Sequence, residues 1–186
     1  MYKRQVIKNE INQGSISVKE ISPVIKINLR GKKREFLTNV GKNLNMILPT
    51  EANTSTTSDK LTAIWLSPDE WMIISNDLAS KDTNKSELYE MLFNSISKTN
   101  LGAVIDVTDQ FVQLELKGEN VYEIFSAGSP FNFNEFKEKK GSTTQTVLNH
   151  IDVILHHKDE NTVNLFVRRS FAEHLFSWIE DSASRL

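Results

Sequence analysis

The stretch at residues 61–75, LTAIWLSPDEWMIIS, restricts the possible folds more than any other part of the chain. Two apolar runs rich in Ile, Leu, Trp and Met flank Ser67-Pro68-Asp69-Glu70. Ser favours the first position of a type I turn, and Pro supplies the φ needed at the second. The segment therefore reads as a β-hairpin with its turn at Pro68-Asp69. With Ser67 opposite Glu70, the register sets Leu66 against Trp71 and Trp65 against Met72. One face then carries Ile64, Leu66, Trp71 and Ile73, and the other Leu61, Ala63, Trp65, Met72 and Ile74. A hairpin with one wet face alternates apolar and polar residues, and this one does not. Both faces call for cover, from helices of the same chain or from another chain. Each buried tryptophan withdraws about 150–250 Å² from water, worth at most roughly 4–6 kcal/mol at ~25 cal/mol per Å².

A chain of 186 residues fills one core well and is cramped as two independent domains. Its 39% hydrophobic and 25% charged content describes a globular protein, and a formal net charge of −2 gives no reason to expect a nucleic-acid partner. Cysteine is absent, which excludes disulfides, thiolate metal sites, iron–sulfur clusters and cysteine nucleophiles. The opening MYKRQVIKNEINQG is basic but lacks an apolar core, so no secretory signal is expected. No apolar run reaches the ~18 residues of a membrane span. The expected location is cytoplasmic.

Residues 1–19 hold isolated apolar positions without a period and read as an N-terminal arm, flexible in part. Residues 20–186 read as one α+β domain, with an exposed loop at 49–60. Ile25, Ile27 and Leu29 alternate with Lys26, Asn28 and Arg30 in a half-buried strand, and residues 36–48 suggest a second strand pair. Leu88, Met91, Leu92 and Ile96 lie on one helical stripe. Residues 103–117 read as a second hairpin turning at Thr108-Asp109-Gln110, followed by a short helix closed by Gly128. Residues 129–145 form a loop anchored by Phe131, Phe133 and Phe136. Residues 151–155 and 163–167 alternate as strands around Asp159-Glu160-Asn161. Ser170 and Glu173 have capping-box spacing ahead of a helix whose apolar face is Phe171, Leu175, Trp178 and Ile179. Hairpins separated by single helices imply antiparallel or mixed sheets with helices packed on them.

Few residues offer chemistry. His156 and His157 are adjacent on a strand and point to opposite faces, so they cannot share an ion. His150, Asp152 and His156 can share a face, although exposed strand polars explain them equally. There is no H-E-x-x-H, G-x-S-x-G, G-x-G-x-x-G or P-loop among seven glycines. Gly118 precedes Glu119, whose charge disfavours a phosphate at the following helix. Asp109 fits a turn and Asp106 a hydrogen bond at a strand end. Arg168 and Arg169 can clamp a carboxylate or phosphate, or pair with an acid of this chain or of a partner. No self-contained catalytic, cofactor or metal site emerges, and the residues alone point to an interaction module.

Four ordered segments then carry a resemblance. WLSPDEW at 65–71, VIDVTDQ…LELKG at 104–118, AGSP at 127–130 and FVRRSFAEHLFSWI at 166–179 resemble the gamma subunit of heterotetrameric sarcosine oxidase over residues 20–185. Where that family has Gly, Ser, Arg and Cys, this chain has Ser67, Thr108, Gln110 and Ser129. The missing arginine at 110 is expected to alter a local salt bridge. The resemblance implies part of the folate-binding aminomethyltransferase fold. It also implies a small non-catalytic subunit that supports assembly with alpha, beta and delta subunits. The complete enzyme demethylates sarcosine to glycine, passes the one-carbon unit to tetrahydrofolate and yields hydrogen peroxide. FAD, FMN, NAD and tetrahydrofolate are expected in the partner subunits and no cofactor in this chain. Trp65, Pro68, Asp69, Trp71, Asp106, Asp109, Arg168 and Arg169 are the candidate interface or structural positions. Two alternatives stay open: the same subunit of a demethylase for another methylated amine such as dimethylglycine, and a stand-alone folate-binding module.

Overall fold

The computed structural model describes residues 6–7, 10–13, 16–21, 23–78 and 86–186. They divide into two compact units, a central one at Val24–Thr108 and a flanking one comprising Met1–Pro23 and Asp109–Leu186. Where the sequence suggests one domain over 20–186, the boundary falls inside the stretch read as the turn of a second hairpin. In chain order the strands are β1 (Ile11–Gln13), β2 (Ile16–Glu20), β3 (Val24–Arg30), β4 (Ser55–Thr57), β5 (Leu61–Ser67), β6 (Glu70–Leu78), β7 (Ala103–Asp106), β8 (Phe111–Gly118), β9 (Thr143–Leu148), β10 (Ile151–Asp159) and β11 (Thr162–Arg168). The helices are α1 (Arg34–Leu44), α2 (Glu87–Leu92), α3 (Val121–Gly128), α4 (Asn134–Glu138) and α5 (Ala172–Ala183). The α+β class expected from the alternating hairpins holds, and every strand pair is antiparallel.

In the central unit the sheet order is β4-β5-β6-β3-β7. Residues 36–48 are a helix and its exit rather than strands, because Phe36, Val40 and Leu44 recur every four residues and are the buried side of α1. Asn45 closes α1 in the left-handed region at φ 48°, and the Met46 amide donates to the Gly41 carbonyl. Ser86 caps α2 by accepting from the Tyr89 amide at 3.0 Å. The helix continues as one π-helical turn, Phe93–Ser97, which seats Ile96 beside Leu92 in the core and leaves Met91 exposed, off the expected stripe. The loop at 49–60 contains the short strand β4.

The flanking unit has sheet order β1-β2-β8-β11-β10-β9, with α3, α4 and α5 contributing to its core. The N-terminal segment is no arm where it is described: β1 and β2 extend the sheet from β8, and Ile7, Ile11, Ile16 and Val18 are buried. The rest of the expected arm, residues 1–5, 8–9 and 14–15, lies outside the described residues. Strands β7 and β8 do not form a hairpin. The first pairs with β3 and the second with β2 and β11. Residues 134–138 within the expected aromatic loop form α4. The expected turn at 159–161 is present. So is a tight β9–β10 turn with Asn149 and His150 both at positive φ, a combination asparagine tolerates well.

Three local expectations at helix ends change. Gly128 is the last residue of α3 rather than a left-handed stop. A Cβ placed on it would lie 2.5 Å from the Trp178 ring of α5, so the missing side chain makes room for helix packing. The capping box of Ser170 and Glu173 does not form. A 3-10 turn, Arg169–Phe171, precedes α5, whose start has no side-chain cap. That turn moves the buried stripe to Ala172, Leu175, Phe176 and Ile179 and leaves Phe171 47% exposed.

Candidate functional site

In the opening hairpin Ser67 faces Glu70 as expected, but Leu66 is a bulge, and Trp65 therefore pairs with Trp71 and Ile64 with Met72. An extra residue on one strand reverses the side of everything before it. Both tryptophans consequently share one face and pack on the same core cluster, rather than lying on opposite faces. Trp71 is 2% exposed, stands 5.8 Å from the Phe36 ring between centroids, and donates Nε1 to the Pro49 carbonyl at 2.8 Å. Trp65 is half-buried. On the opposite face Ile64, Met72 and Ile74 are buried as well.

The polar turn is a clamp on the end of β3. Ser67 Oγ donates to Asp69 Oδ1 at 2.8 Å, Lys32 Nζ lies 3.6 Å from Asp69 Oδ2, and the Gly31 amide donates to the Asp69 carbonyl. Glu70 accepts from Asn28 Nδ2 at 2.7 Å and faces Arg30 at 3.7 Å. The Ser67 hydrogen bond holds the Asp69 carboxyl below the usual range. Slight desolvation opposes it, and the Lys32 and Arg30 charges add to it. Pro68 is exposed at the apex. Asp69, Glu70 and Trp71 thus have structural work that accounts for them.

Asp106 does what its place at a strand end suggests, accepting from the Thr108 amide at 2.9 Å. Thr108 Oγ1 in turn accepts from the Lys26 amide at 3.0 Å. Lys26, read as the wet side of its strand, is buried, with Nζ donating to the Val24 carbonyl at 3.1 Å. Asp109 is exposed in the flanking unit. The half-buried Arg169 donates its amide to the Gln110 carbonyl, and Arg168 is exposed at the end of β11. Trp65, Pro68, Asp69, Trp71 and Asp106 belong to the central unit and Asp109, Arg168 and Arg169 to the flanking one, so within neither unit do they converge on a reacting centre.

The histidines also differ from expectation. His156 and His157 do point to opposite faces of β10, yet both are buried rather than exposed, and His150 sits in the β9–β10 turn. Among the described residues no group of His, Asp or Glu is arranged to hold a metal. Burial, followed by the charges of His157 and Lys158, pushes His156 down to about 4, so it is neutral at pH 7. In the flanking sheet, register places Thr143, His156, Asn164 and Glu115 in one row across β9, β10, β11 and β8, with Gln113 in the next row. Thr143, Asn164 and Gln113 are buried, and Thr143 Oγ1, Asn164 Oδ1 and Gln113 Oε1 have no hydrogen-bond partner among the described residues. The sequence hid this layer, since alternating Gln, Glu and Lys on β8 looks like a wet face.

On the core side of the same sheet, Tyr122 and His157 meet edge to face among Phe125, Phe133 and Phe136. The Lys139 carbonyl lies 3.0 Å from His157 Nδ1, which fixes the proton there, and His157 Nε2 and the Tyr122 hydroxyl have no hydrogen-bond partner among the described residues. Burial raises the Tyr122 phenol to about 12. Beside α1 an open groove of about 550 Å³ has Lys42 as the single ionisable side chain among the described residues lining it.

The chain superposes on heterotetrameric sarcosine oxidase from Corynebacterium sp. U-96, solved in complex with pyrrole 2-carboxylate, with a TM-score of 0.81 at 19% identity. The match covers 94% of this chain and 87% of that one. It also resembles the glycine cleavage system aminomethyltransferase T from Bartonella henselae, with a TM-score of 0.64 at 18% identity. There the match covers 92% of this chain and spans 47% of that one. At such identities these likenesses establish the fold. No curated protein sequence matches the chain. The sequence pattern of the sarcosine oxidase, gamma subunit family matches residues 31–185, a span that takes in the WLSPDEW hairpin and the VRRSF helix entry. The chain is therefore a member of the sarcosine oxidase, gamma subunit family.

Proposed function

We propose that the chain is a non-catalytic subunit that supports assembly of a multi-subunit oxidase acting on sarcosine. The observation that carries this reading is the family match over residues 31–185. The local roles of Asp69, Glu70, Trp71 and Asp106 support it, because the motif acids and the core tryptophan are occupied in holding this chain together. The partners are alpha, beta and delta subunits. They carry FAD, FMN, NAD and the tetrahydrofolate site, and the complex works in the cytoplasm. Choice of methylated amine, sarcosine or dimethylglycine, then lies in another chain. Co-expression with those subunits followed by size-exclusion chromatography tests the proposal. The chain is expected to co-elute stoichiometrically with a flavin-coloured complex, and a colourless monomer that never joins it overturns the reading. The fold shared with aminomethyltransferase T supports a second reading, a folate-binding module. Calorimetric titration of the isolated chain with tetrahydrofolate separates the two, micromolar binding favouring the second.

A further inference from the structure

Near the N-terminus one side chain fastens two residues that lie outside every strand. In β2 the alternation Ile16, Val18, Glu20 sets all three residues on one side of the strand, and Ile16 and Val18 are buried in the core of the flanking unit. Glu20 therefore brings a carboxylate to the core-facing side, where a charge without partners is costly. Its Oε2 accepts from the Val6 amide at 2.9 Å and from the Ile7 amide at 2.5 Å. Successive amides converging on one oxygen are the arrangement by which a backbone holds an anion, and the charge makes both bonds stronger than neutral ones.

The dependence runs in both directions. Val6 and Ile7 belong to no strand, so their amides are satisfied by Glu20 and not by a sheet ladder. Val6 is half-buried against the flanking core, and Ile7 is 5% exposed within it. By contrast β2 is paired to β8 along its full length, and β8 in turn to β11. A segment held by two amides and one buried side chain opens at lower free energy than a strand inside a ladder.

We propose that Glu20 is the clasp of an N-terminal strap. Its carboxylate draws residues 6–7 onto the flanking core, and when the clasp releases them Ile7 lifts out of that core while the sheet from β2 to β9 stays paired. The strap precedes residue 31, where the match to the family begins, so the device does not depend on the assembly reading.

Amide exchange in the full chain, followed by NMR in rising sub-denaturing urea, tests the proposal. In the wild type, exchange at Val6 and Ile7 is expected to change little with urea, since a local opening uncovers little surface. Exchange at Leu114 and Leu165, in the interior strands β8 and β11, is expected to accelerate steeply. Glu20→Ala is expected to speed exchange at Val6 and Ile7 roughly ten-fold or more, through loss of two charge-assisted bonds. Leu114 and Leu165 are expected to keep their wild-type chemical shifts in that variant. Where Glu20→Ala does not fold, Glu20→Gln decides, because it keeps the shape and loses the charge; a rise of roughly three-fold or more is expected there. Wild-type exchange at Val6 and Ile7 in the variant that folds overturns the clasp. The same urea dependence at Val6, Ile7, Leu114 and Leu165 overturns the strap, because the segment then opens only with the whole unit.

Discussion

Trp71 illustrates how one side chain changes meaning between sequence and structure. As part of a doubly apolar hairpin it suggested an interface. In the fold it is a satisfied core residue, its ring on Phe36 and its Nε1 on the Pro49 carbonyl. Trp71→Ala is expected to cost about 3–5 kcal/mol in urea unfolding through the lost ring volume. Trp71→Phe keeps most of the ring but strands the carbonyl, and is expected to cost about 1–3 kcal/mol. His156 makes a second case. Its pKa falls from 6.5 in the unfolded chain to about 4 in the fold. Above pH 6.5 both states are neutral. As pH drops below 6.5 the unfolded state takes up the proton first, so stability is lost progressively down to pH 4. The full loss is about 3 kcal/mol at ~1.4 kcal/mol for each pH unit. His156→Gln is expected to flatten that limb, giving about 2–3 kcal/mol less loss between pH 7 and 4.5. Parallel stability curves for the two proteins would show that His156 does not drive it.

Among the elements, α3 and α5 are held close by what Gly128 lacks. Its nearest would-be neighbours are the Trp178 ring at 2.5 Å and Leu148 Cδ1 at 3.1 Å. Gly128→Ala is expected to destabilise by about 1–3 kcal/mol through overpacking, even though alanine is the better helix former. Trp178→Leu, which vacates the ring, is expected to make the same substitution neutral or favourable. Additive costs in that double-mutant cycle would disprove the steric explanation. The hairpin at 61–75 shows the limit of patterning at this scale. Its existence and its Ser67–Glu70 turn are legible, since Ser-Pro-Asp between apolar runs has a local mechanism. The bulge at Leu66 has none, and it decides that both tryptophans face the same core. Likewise residues 36–48 carry a helical period that Gly41 and the short length obscure.

For the whole molecule, the central unit interrupts the flanking one in sequence, and the flanking sheet draws its strands from both sides of that interruption. Residues 11–13 and 16–20 supply β1 and β2, and Ile7, Ile11, Ile16 and Val18 lie in the core. At about 1.5–3 kcal/mol for each buried aliphatic, removing them forfeits roughly 6–12 kcal/mol, comparable to the ~5–15 kcal/mol of a typical domain. Deleting residues 1–20 is therefore expected to abolish the cooperative unfolding of the flanking unit and expose the edge of β8 to aggregation. A deletion protein with wild-type melting behaviour would show that the segment is a dispensable arm. The boundary between the two compact units is hidden for a related reason. Residues 103–117 look like one hairpin because both strands are apolar and a turn lies between them. Which sheet each strand joins depends on partners nearly a hundred residues away in sequence.

The amino-acid sequence by itself determined the α+β class, most element positions from β5 onward, the roles of Asp106 and the 67–70 turn, and the family. These rest on local period, turn chemistry and ordered motifs, which act over a few residues. Only tertiary structure decided the two units, the strand role of residues 11–13 and 16–20, the burial of Lys26, His156 and His157, and the release of Phe171 to the surface. Each of those turns on which elements come together, and a bulge or one 3-10 turn is enough to move a side chain to the other face.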